Sequence, residues 1–196
     1  LPPPSQCRQK YNIKEKHIIL FMGRIHQIKG IDFLVDAFHR LSQQREDIFL
    51  AIVGPDSGYK STLEKQITRL GLSGKVLFTG LLGGVDKLSA LVDATMLVQT
   101  SICERGPGSP FEAILCGTPI IITKDTGAGE TVSKLDAGYL VEYGNIPVLA
   151  DLMRKVMDDP FDIKNKTEAA RQYIIAKLSW QNGVEEFEKL YMSLRK

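Results

Sequence analysis

The chain has 196 residues, 43% of them hydrophobic, which predicts one domain with a well-formed core. Its formal net charge of +2 comes without any block of basic residues, so nucleic acid is disfavoured as a partner. Its longest apolar runs, such as residues 18–22, are too short to cross a bilayer, so we expect no transmembrane segment.

The predicted elements alternate short apolar strands with amphipathic helices. Residues 1–16 are rich in proline and then in charge, and they are interpreted as a linker. The main domain is predicted over residues 17–159, with its first helix starting near Ile31, where apolar residues recur at helical spacing. Residues 160–196 are predicted to form C-terminal helices. The strands are predicted at 18–23, 48–53, 76–78, 96–99, 118–123 and 139–141.

This alternation predicts the α/β class, as a doubly wound parallel sheet with a Rossmann-like arrangement. In such sheets the ligand lies in a crevice at the carboxyl ends of the strands. The chain has neither the Gly-x-Gly-x-x-Gly of dinucleotide oxidoreductases nor a Walker motif. It also has no Asp-x-Asp, so no metal site is predicted.

The first candidate segment, from Gly23 to Gly30, joins the first strand to the first helix and therefore belongs at the ligand edge. Arg24 offers a planar fork of donors suited to phosphate, and Lys29 offers a point charge. Taken alone, the segment is equally compatible with an ordinary solvated loop. Combined with a second segment at the same edge, it predicts a phosphate site.

The second candidate segment starts at Cys103 and carries two glutamates, Glu104 and Glu112, with seven residues between them. Ser109, followed by proline, predicts a helix start with Ser109 as N-cap, and Glu112 fits a capping box. Backbone amides at a helix start favour an anion such as a diphosphate, and the carboxylates can hold hydroxyl groups beside it. This combination suits a nucleotide-sugar. Two alternatives stay open: Glu112 serves only the cap, and Glu104 is an exposed loop acid.

Cysteine and histidine add little to the functional interpretation. The three cysteines lack Cys-x-x-Cys spacing, so a disulfide framework or zinc site is not predicted, and we expect a reducing, cytoplasmic location. The three histidines show no spacing typical of metal ligands.

Five segments resemble, in the same order, the sequence blocks of glycosyltransferase family four (group 1). The resemblance extends over residues 18–159 and implies the C-terminal, nucleotide-sugar-binding half of a GT-B enzyme. It implies retaining transfer of a sugar from a UDP, GDP or ADP donor, without metal or other cofactor. The segments are Gly-Arg-x4-Lys-Gly at 23–30, the turn at Gly54, Val-Leu-Phe-Thr-Gly at 76–80, Glu-x7-Glu at 104–112 and Cys-Gly-Thr-Pro at 116–119.

The resemblance also implies individual roles. Arg24 and Lys29 would hold the diphosphate, Glu104 the transferred sugar and Glu112 the ribose. The first three of these residues form the implied catalytic set. Where the family commonly has Glu-Gly-Phe-Gly, this chain has Glu-Arg-Gly-Pro-Gly, so the amides for the anion would come from the residues that follow. The implied donor-binding residues are Gly23, Arg24, Lys29, Gly54, Leu77, Glu104, Gly106, Gly108, Ser109, Phe111 and Glu112.

The resemblance implies that the acceptor-binding N-terminal domain of such an enzyme is not part of this chain. We therefore expect the chain alone to bind the donor without transferring the sugar, and we expect its last helix to pack on the missing half. That helix carries an apolar face made of Trp180, Val184, Phe187, Tyr191 and Leu194. Two other hypotheses stay open: one half of a nucleotide-sugar epimerase, and a non-catalytic nucleotide-sugar-binding module.

Overall fold

The computed structural model describes residues 1–106, 108–178 and 180–194. Within them lies one six-stranded sheet in which every neighbouring pair of strands is parallel, in the order β3-β2-β1-β4-β5-β6. This topology confirms the predicted doubly wound fold. Three of the six predicted strands keep their bounds, and the ends of the other three shift by one or two residues. The strands are β1 (His17–Met22), β2 (Ile48–Val53), β3 (Val76–Gly80), β4 (Met96–Gln99), β5 (Ile120–Thr123) and β6 (Tyr139–Val141).

Helices cover both faces of the sheet. Ile19 and Phe21 of β1 belong to the core shared with α2, α3 and α7, whereas Ile18, Leu20 and Met22 belong to the core on the other face. Because β1 is buried on both faces, it reads as a continuous apolar run. The helices are α1 (Gln6–Tyr11), α2 (Ile31–Ser42), α3 (Lys60–Arg69), α4 (Gly84–Asp93), α5 (Gly108–Leu115), α6 (Gly127–Lys134), α7 (Ile146–Asp158), α8 (Phe161–Lys177) and α9 (Trp180–Ser193).

Residues 1–16, which were predicted to be a linker, contain the helix α1 instead. This helix packs on α4 and buries Cys7, and Ile13 just after it is also buried. The Asp93 carboxylate, at the end of α4, accepts hydrogen bonds from the backbone N–H groups of Ser5 and Arg8. A six-residue helix that buries so few apolar side chains leaves no helical period to detect in the sequence. The division into residues 17–159 and 160–196 stays a prediction.

The last helix, α9, exposes much of its predicted apolar face. Phe187 and Tyr191 are 65% and 73% exposed, and Val184 and Leu194 are exposed as well. The side chain of Trp180, which was predicted to share this face, lies outside the described residues. Within the described part of the chain, no helix is long and apolar enough to cross a membrane.

The strand order fixes where a ligand crevice opens. The chain runs from β1 outward to β3 and then returns to place β4 on the other side of β1. The loops that follow β1 and β4 therefore diverge to opposite faces, which leaves a crevice at the carboxyl ends of these two strands.

Candidate functional site

The two predicted segments meet at this crevice. The backbone N–H of Ile102 donates to the carbonyl oxygen of Ile28 at 2.9 Å, and the Thr100 hydroxyl donates to the carbonyl oxygen of Gly30 at 2.8 Å. Gly30 has a φ of 59°, and a Cβ there would lie 2.1 Å from the Thr100 carbonyl oxygen. A glycine is therefore required for the loop after β1 to reach the loop after β4.

Lys29 and Glu104 form an ion pair between the loop that follows β1 and the loop that follows β4. Their side chains are only 13% and 20% exposed, so the pair is shielded from solvent on most sides. The amide nitrogen of Gln99 also donates to the Glu104 carboxylate, at 3.0 Å. The alternative that Glu104 is an exposed loop acid is therefore wrong.

The loop that carries Glu104 is supported from behind by the start of α6. The backbone N–H of Ala128 donates to the Glu104 carbonyl oxygen at 3.3 Å. A Cβ on Gly127 would lie 2.5 Å from the carbonyl oxygen of Arg105, so this contact also depends on a glycine. These contacts hold the backbone on which the Glu104 side chain is mounted.

Arg24 lies in the same loop after β1 as Lys29. Its side chain is exposed and, within the described residues, makes no hydrogen bond or ion pair. Gly54, another predicted site residue, must be a glycine for packing reasons, because a Cβ there would lie 1.8 Å from the carbonyl oxygen of Gly23. The loop after β2 therefore packs directly against the backbone beside Arg24. Gly23 itself is half-buried.

The start of α5 differs from the predicted capping box. The helix begins at Gly108, so Ser109 is already helical, and its hydroxyl donates to the carbonyl oxygen of Met22 at 3.0 Å. The Glu112 carboxylate accepts from the ammonium of Lys87 at 2.7 Å instead of serving the cap. The capping-box prediction is therefore wrong, because side chains and strands distant in sequence supply better partners than the local backbone does.

The remaining predicted residues surround this helix start or lie to one side of it. Gly106 and Gly108 are exposed, whereas Phe111 is half-buried against the core beneath α5. Pro107 lies outside the described residues. The first N–H groups of a helix have no intrahelical acceptor, and in α5 they belong to Gly108, Ser109 and Phe111, because Pro110 has no N–H. Leu77 lies on the edge strand β3, half-buried and separated from β1 by β2.

Among the residues that the structure describes, no candidate metal centre accompanies this site. Within the three described ranges, no group of three or more histidine, cysteine, aspartate or glutamate side chains comes together in a way that could hold an ion. The charged groups of the crevice are Arg24, Lys29 and Glu104, with Glu112 and Lys87 beside the start of α5. The cations among them can bind an anion, and the carboxylates can accept hydrogen bonds from a neighbouring group such as a hydroxyl.

Comparison with known proteins gives the family. The family described as glycosyl transferases group 1 matches residues 5–176. The chain belongs to this family. The match includes α1, in agreement with a folded N-terminal segment.

The relatives of this group 1 domain with curated descriptions are glycosyltransferases and related sugar-adding enzymes. It is 31% identical over 158 residues to 2-deoxystreptamine glucosyltransferase of Streptomyces kanamyceticus, covering 80% of this chain and 40% of that protein. It is 27% identical over 188 residues to N-acetyl-alpha-D-glucosaminyl L-malate synthase of Bacillus anthracis, covering 95% of this chain and 48% of that protein. The chain thus spans about half the length of the curated relatives it matches.

Solved structures confirm the predicted GT-B type of Rossmann-like fold. The chain superposes on Anabaena HepE in complex with UDP and glucose with a TM-score of 0.87 at 24% identity, covering 98% of this chain and 53% of that one. It also superposes on the C-terminal domain of the group 1 protein LpcC from Francisella tularensis with a TM-score of 0.78 at 22% identity. That match covers 92% of this chain and 95% of the LpcC domain.

Two residues of this group 1 domain were missed by sequence reasoning. Gln99 ends an otherwise apolar buried strand at the ligand edge, and a polar residue in that place was an available signal. Lys87 carried no signal, because a lysine on a helix surface is ordinary and its pairing with Glu112 depends on how α4 packs beside α5.

Proposed function

We propose that this domain binds a nucleoside-diphosphate sugar and forms the donor half of a retaining glycosyltransferase. The observation that carries the proposal is the Lys29–Glu104 pair, buried at the switch point of the sheet beside the start of α5. A cation and helix amides there suit a diphosphate, and a carboxylate next to them suits the hydroxyl groups of a sugar.

Each of these residues contacts a different part of the donor. Arg24, Lys29 and the first amides of α5 hold the diphosphate, and the Glu104 carboxylate accepts hydrogen bonds from the transferred sugar. Glu112 accepts hydrogen bonds from the ribose hydroxyls in place of its contact with Lys87. The base lies toward β3, near Leu77.

The chemistry follows from where charge develops. Transfer breaks the bond between the anomeric carbon and a phosphate oxygen, and the electron pair leaves with the diphosphate. The acceptor hydroxyl oxygen forms the new bond to that carbon, and its proton passes to the departing phosphate. Preorganised cations stabilise that leaving group in a shielded crevice, which is the role we assign to Arg24 and Lys29. These side chains take the part that a metal ion has in other sites that bind diphosphates, so we propose that no metal is needed.

Lys29 connects the proposed diphosphate contacts with the proposed sugar contact of Glu104. An ammonium has three N–H donors, so Lys29 can keep its contact with Glu104 while it donates to a phosphate oxygen. Phosphate binding then reinforces the position of the carboxylate that receives the sugar. The ion pair is therefore compatible with donor binding.

The acceptor site belongs to a second domain. The chain spans about half the length of its relatives, and the exposed apolar face of α9 offers Phe187 and Tyr191 for packing against another domain. Catalysis requires donor and acceptor to be held in one geometry, and this domain supplies only the donor crevice. We therefore expect donor binding, but no transfer to an acceptor, from this chain alone.

Calorimetric titration tests the proposal. HepE, which has the same fold, was solved with UDP-glucose, so UDP and UDP-glucose are the first ligands to titrate, followed by the GDP and ADP pairs. We expect one nucleoside diphosphate to bind in the presence of EDTA, and its monophosphate to bind more weakly. If no diphosphate binds, with or without Mg²⁺, the proposal is wrong.

A further inference from the structure

We propose that Gln99 is a positioning residue that orients the Glu104 carboxylate toward the donor sugar. This inference rests on the proposed donor-binding function. Gln99 is the last residue of β4, only 5% exposed, and it lies where the strand opens into the crevice. It acts through Glu104 and has no contact of its own with the sugar.

The amide of Gln99 connects the two parts of the proposed site. Its nitrogen donates to Oε2 of Glu104 at 3.0 Å, and its oxygen lies 3.3 Å from the Ser109 hydroxyl, whose single proton it shares with the carbonyl oxygen of Met22. An ionised carboxylate only accepts hydrogen bonds, so the nitrogen of the amide must face Glu104. The oxygen of the Gln99 amide then faces the first turn of α5, whose backbone N–H groups are proposed to bind the diphosphate.

In the described part of the chain, the three donors to the Glu104 carboxylate all reach the same oxygen. Lys29, Gln99 and, at 3.5 Å, Ser101 all direct their donors at Oε2. Within the described residues, Oε1 receives no hydrogen bond from the protein. One oxygen is thus held by the protein, and the other is available to a ligand that donates a hydrogen bond. A sugar hydroxyl is such a donor, whereas a phosphate oxygen is not.

Burial makes this arrangement specific. The other residues of β4 are apolar, and a buried amide without partners would be strongly unfavourable. Gln99 offsets that cost through its nitrogen, which donates to Glu104, and through its oxygen, which shares the Ser109 hydroxyl proton with the Met22 carbonyl. A leucine or methionine would suit the strand equally well, so the amide is best explained by its contact with Glu104.

The test measures how much the sugar contributes to affinity. For each variant, the dissociation constant of UDP is divided by that of UDP-glucose (or the same is done for the nucleotide pair that the wild-type chain prefers). A high ratio means that the sugar contributes strongly to affinity. Gln99→Met keeps the shape and removes both hydrogen bonds. We expect it to lower the contribution of the sugar about tenfold and to change the affinity for the bare diphosphate by less than about twofold. Gln99→Glu places a second carboxylate against Glu104 and should have a larger effect.

A matched control is available elsewhere in the chain. Gln66 on α3 also donates its amide to a carboxylate, that of Asp36, at 2.7 Å. Gln66→Met removes the same kind of bond away from the crevice, and we expect the ratio to stay at the wild-type value. Ser109→Ala leaves Gln99 without its second partner and should lower the ratio by about two- to threefold.

A double-mutant cycle separates positioning from a general loss of stability. In the Glu104→Gln background, Gln99→Met should lower the ratio no further, because the group that it positions is already changed. If wild-type protein binds no nucleotide, the proposed function fails and this inference fails with it. If wild-type protein binds but Gln99→Met has the wild-type ratio, this inference alone is overturned. Should Gln99→Met not fold, an unchanged ratio for Ser109→Ala is the overturning result.

Discussion

Lys29 and Glu104 lie 75 positions apart in the chain and form an ion pair at the point where the order of the sheet reverses. Lys29 follows β1 and Glu104 follows β4, which are adjacent parallel strands. Their partnership therefore depends on the crossover that brings β4 back beside β1. The pair is also the place where the proposed phosphate and sugar contacts join.

Arg24 should contribute to diphosphate affinity without contributing to stability. Its side chain is exposed, so Arg24→Ala removes no packing, while the loss of a charge-assisted contact should weaken nucleoside diphosphate binding about ten- to a hundredfold. Calorimetry and thermal unfolding measure the two effects. Arg40→Ala, which removes another exposed arginine from α2, is the control and should leave both quantities unchanged. Equal effects of the two variants would remove Arg24 from the site.

Glu104→Gln should alter stability as well as binding. The substitution keeps the shape but leaves the largely buried Lys29 ammonium without a charged partner, so we expect the free energy of unfolding to fall by about 1–3 kcal/mol. Affinity for the nucleotide-sugar should fall, whereas affinity for the bare diphosphate should stay the same or rise, because Lys29 becomes free to serve the phosphate. Urea denaturation and titration with both ligands check this. A parallel loss of affinity for both ligands would contradict the assignment of Glu104 to the sugar.

Glu112→Gln should affect stability less than Glu104→Gln does, because the Glu112–Lys87 pair is more exposed to solvent. The Glu112–Lys87 pair has side-chain exposures of 43% and 32%, so Glu112→Gln should lower the free energy of unfolding by less than about 1 kcal/mol. Lys87→Met should have a similarly small effect on stability. Only Glu112→Gln should weaken binding of the nucleoside diphosphate, since only Glu112 is assigned to the ribose. A loss of affinity in Lys87→Met alone would reverse the assignment.

His17 should make stability depend on pH in a defined window. It is 7% exposed, and burial lowers its pKa even though Asp47 lies 3.7 Å from its Nε2. The unfolded chain then binds the proton more readily, so folding is most favoured above about pH 6.5 and stability falls as the pH drops below that value. Urea denaturation at about pH 7.5 and about pH 5.5 measures the loss.

A variant of His17 checks this assignment. His17→Gln should flatten the pH dependence of stability in this window. A wild-type slope in His17→Gln would show that other groups are responsible. The Asp47 carboxyl affects stability in a different, more acidic pH range, because the hydrogen bonds that it accepts from Arg45 lower its pKa to about 2.

Much of the fold and part of the site could be predicted from the sequence alone. The continuous apolar runs of strands such as β1 and the helical spacing of α2 are local properties, and they determined the α/β class. The rule that ligands lie at the carboxyl ends of parallel strands then brought Lys29 and Glu104 to one edge. The five ordered segments gave the family, and the comparison confirms it.

Other features depended on partners far away in the chain. Ser109 and Glu112 have the local pattern of a capping box, but Met22 and Lys87 offer a carbonyl oxygen and an ammonium that only the packed fold brings near. The helix at Gln6–Tyr11 likewise depends on Asp93, more than eighty positions away, to receive its first N–H groups.

The sequence by itself thus determined the class of fold and the family, and it placed Lys29 and Glu104 at one edge of the sheet, because periodicity and motif order are local properties. Only the tertiary structure decided which partner each polar group takes, and with it the roles of Gln99 and Lys87. The reason is physical: a buried donor or acceptor must be satisfied, and the group that satisfies it is chosen by distance in space and not along the chain.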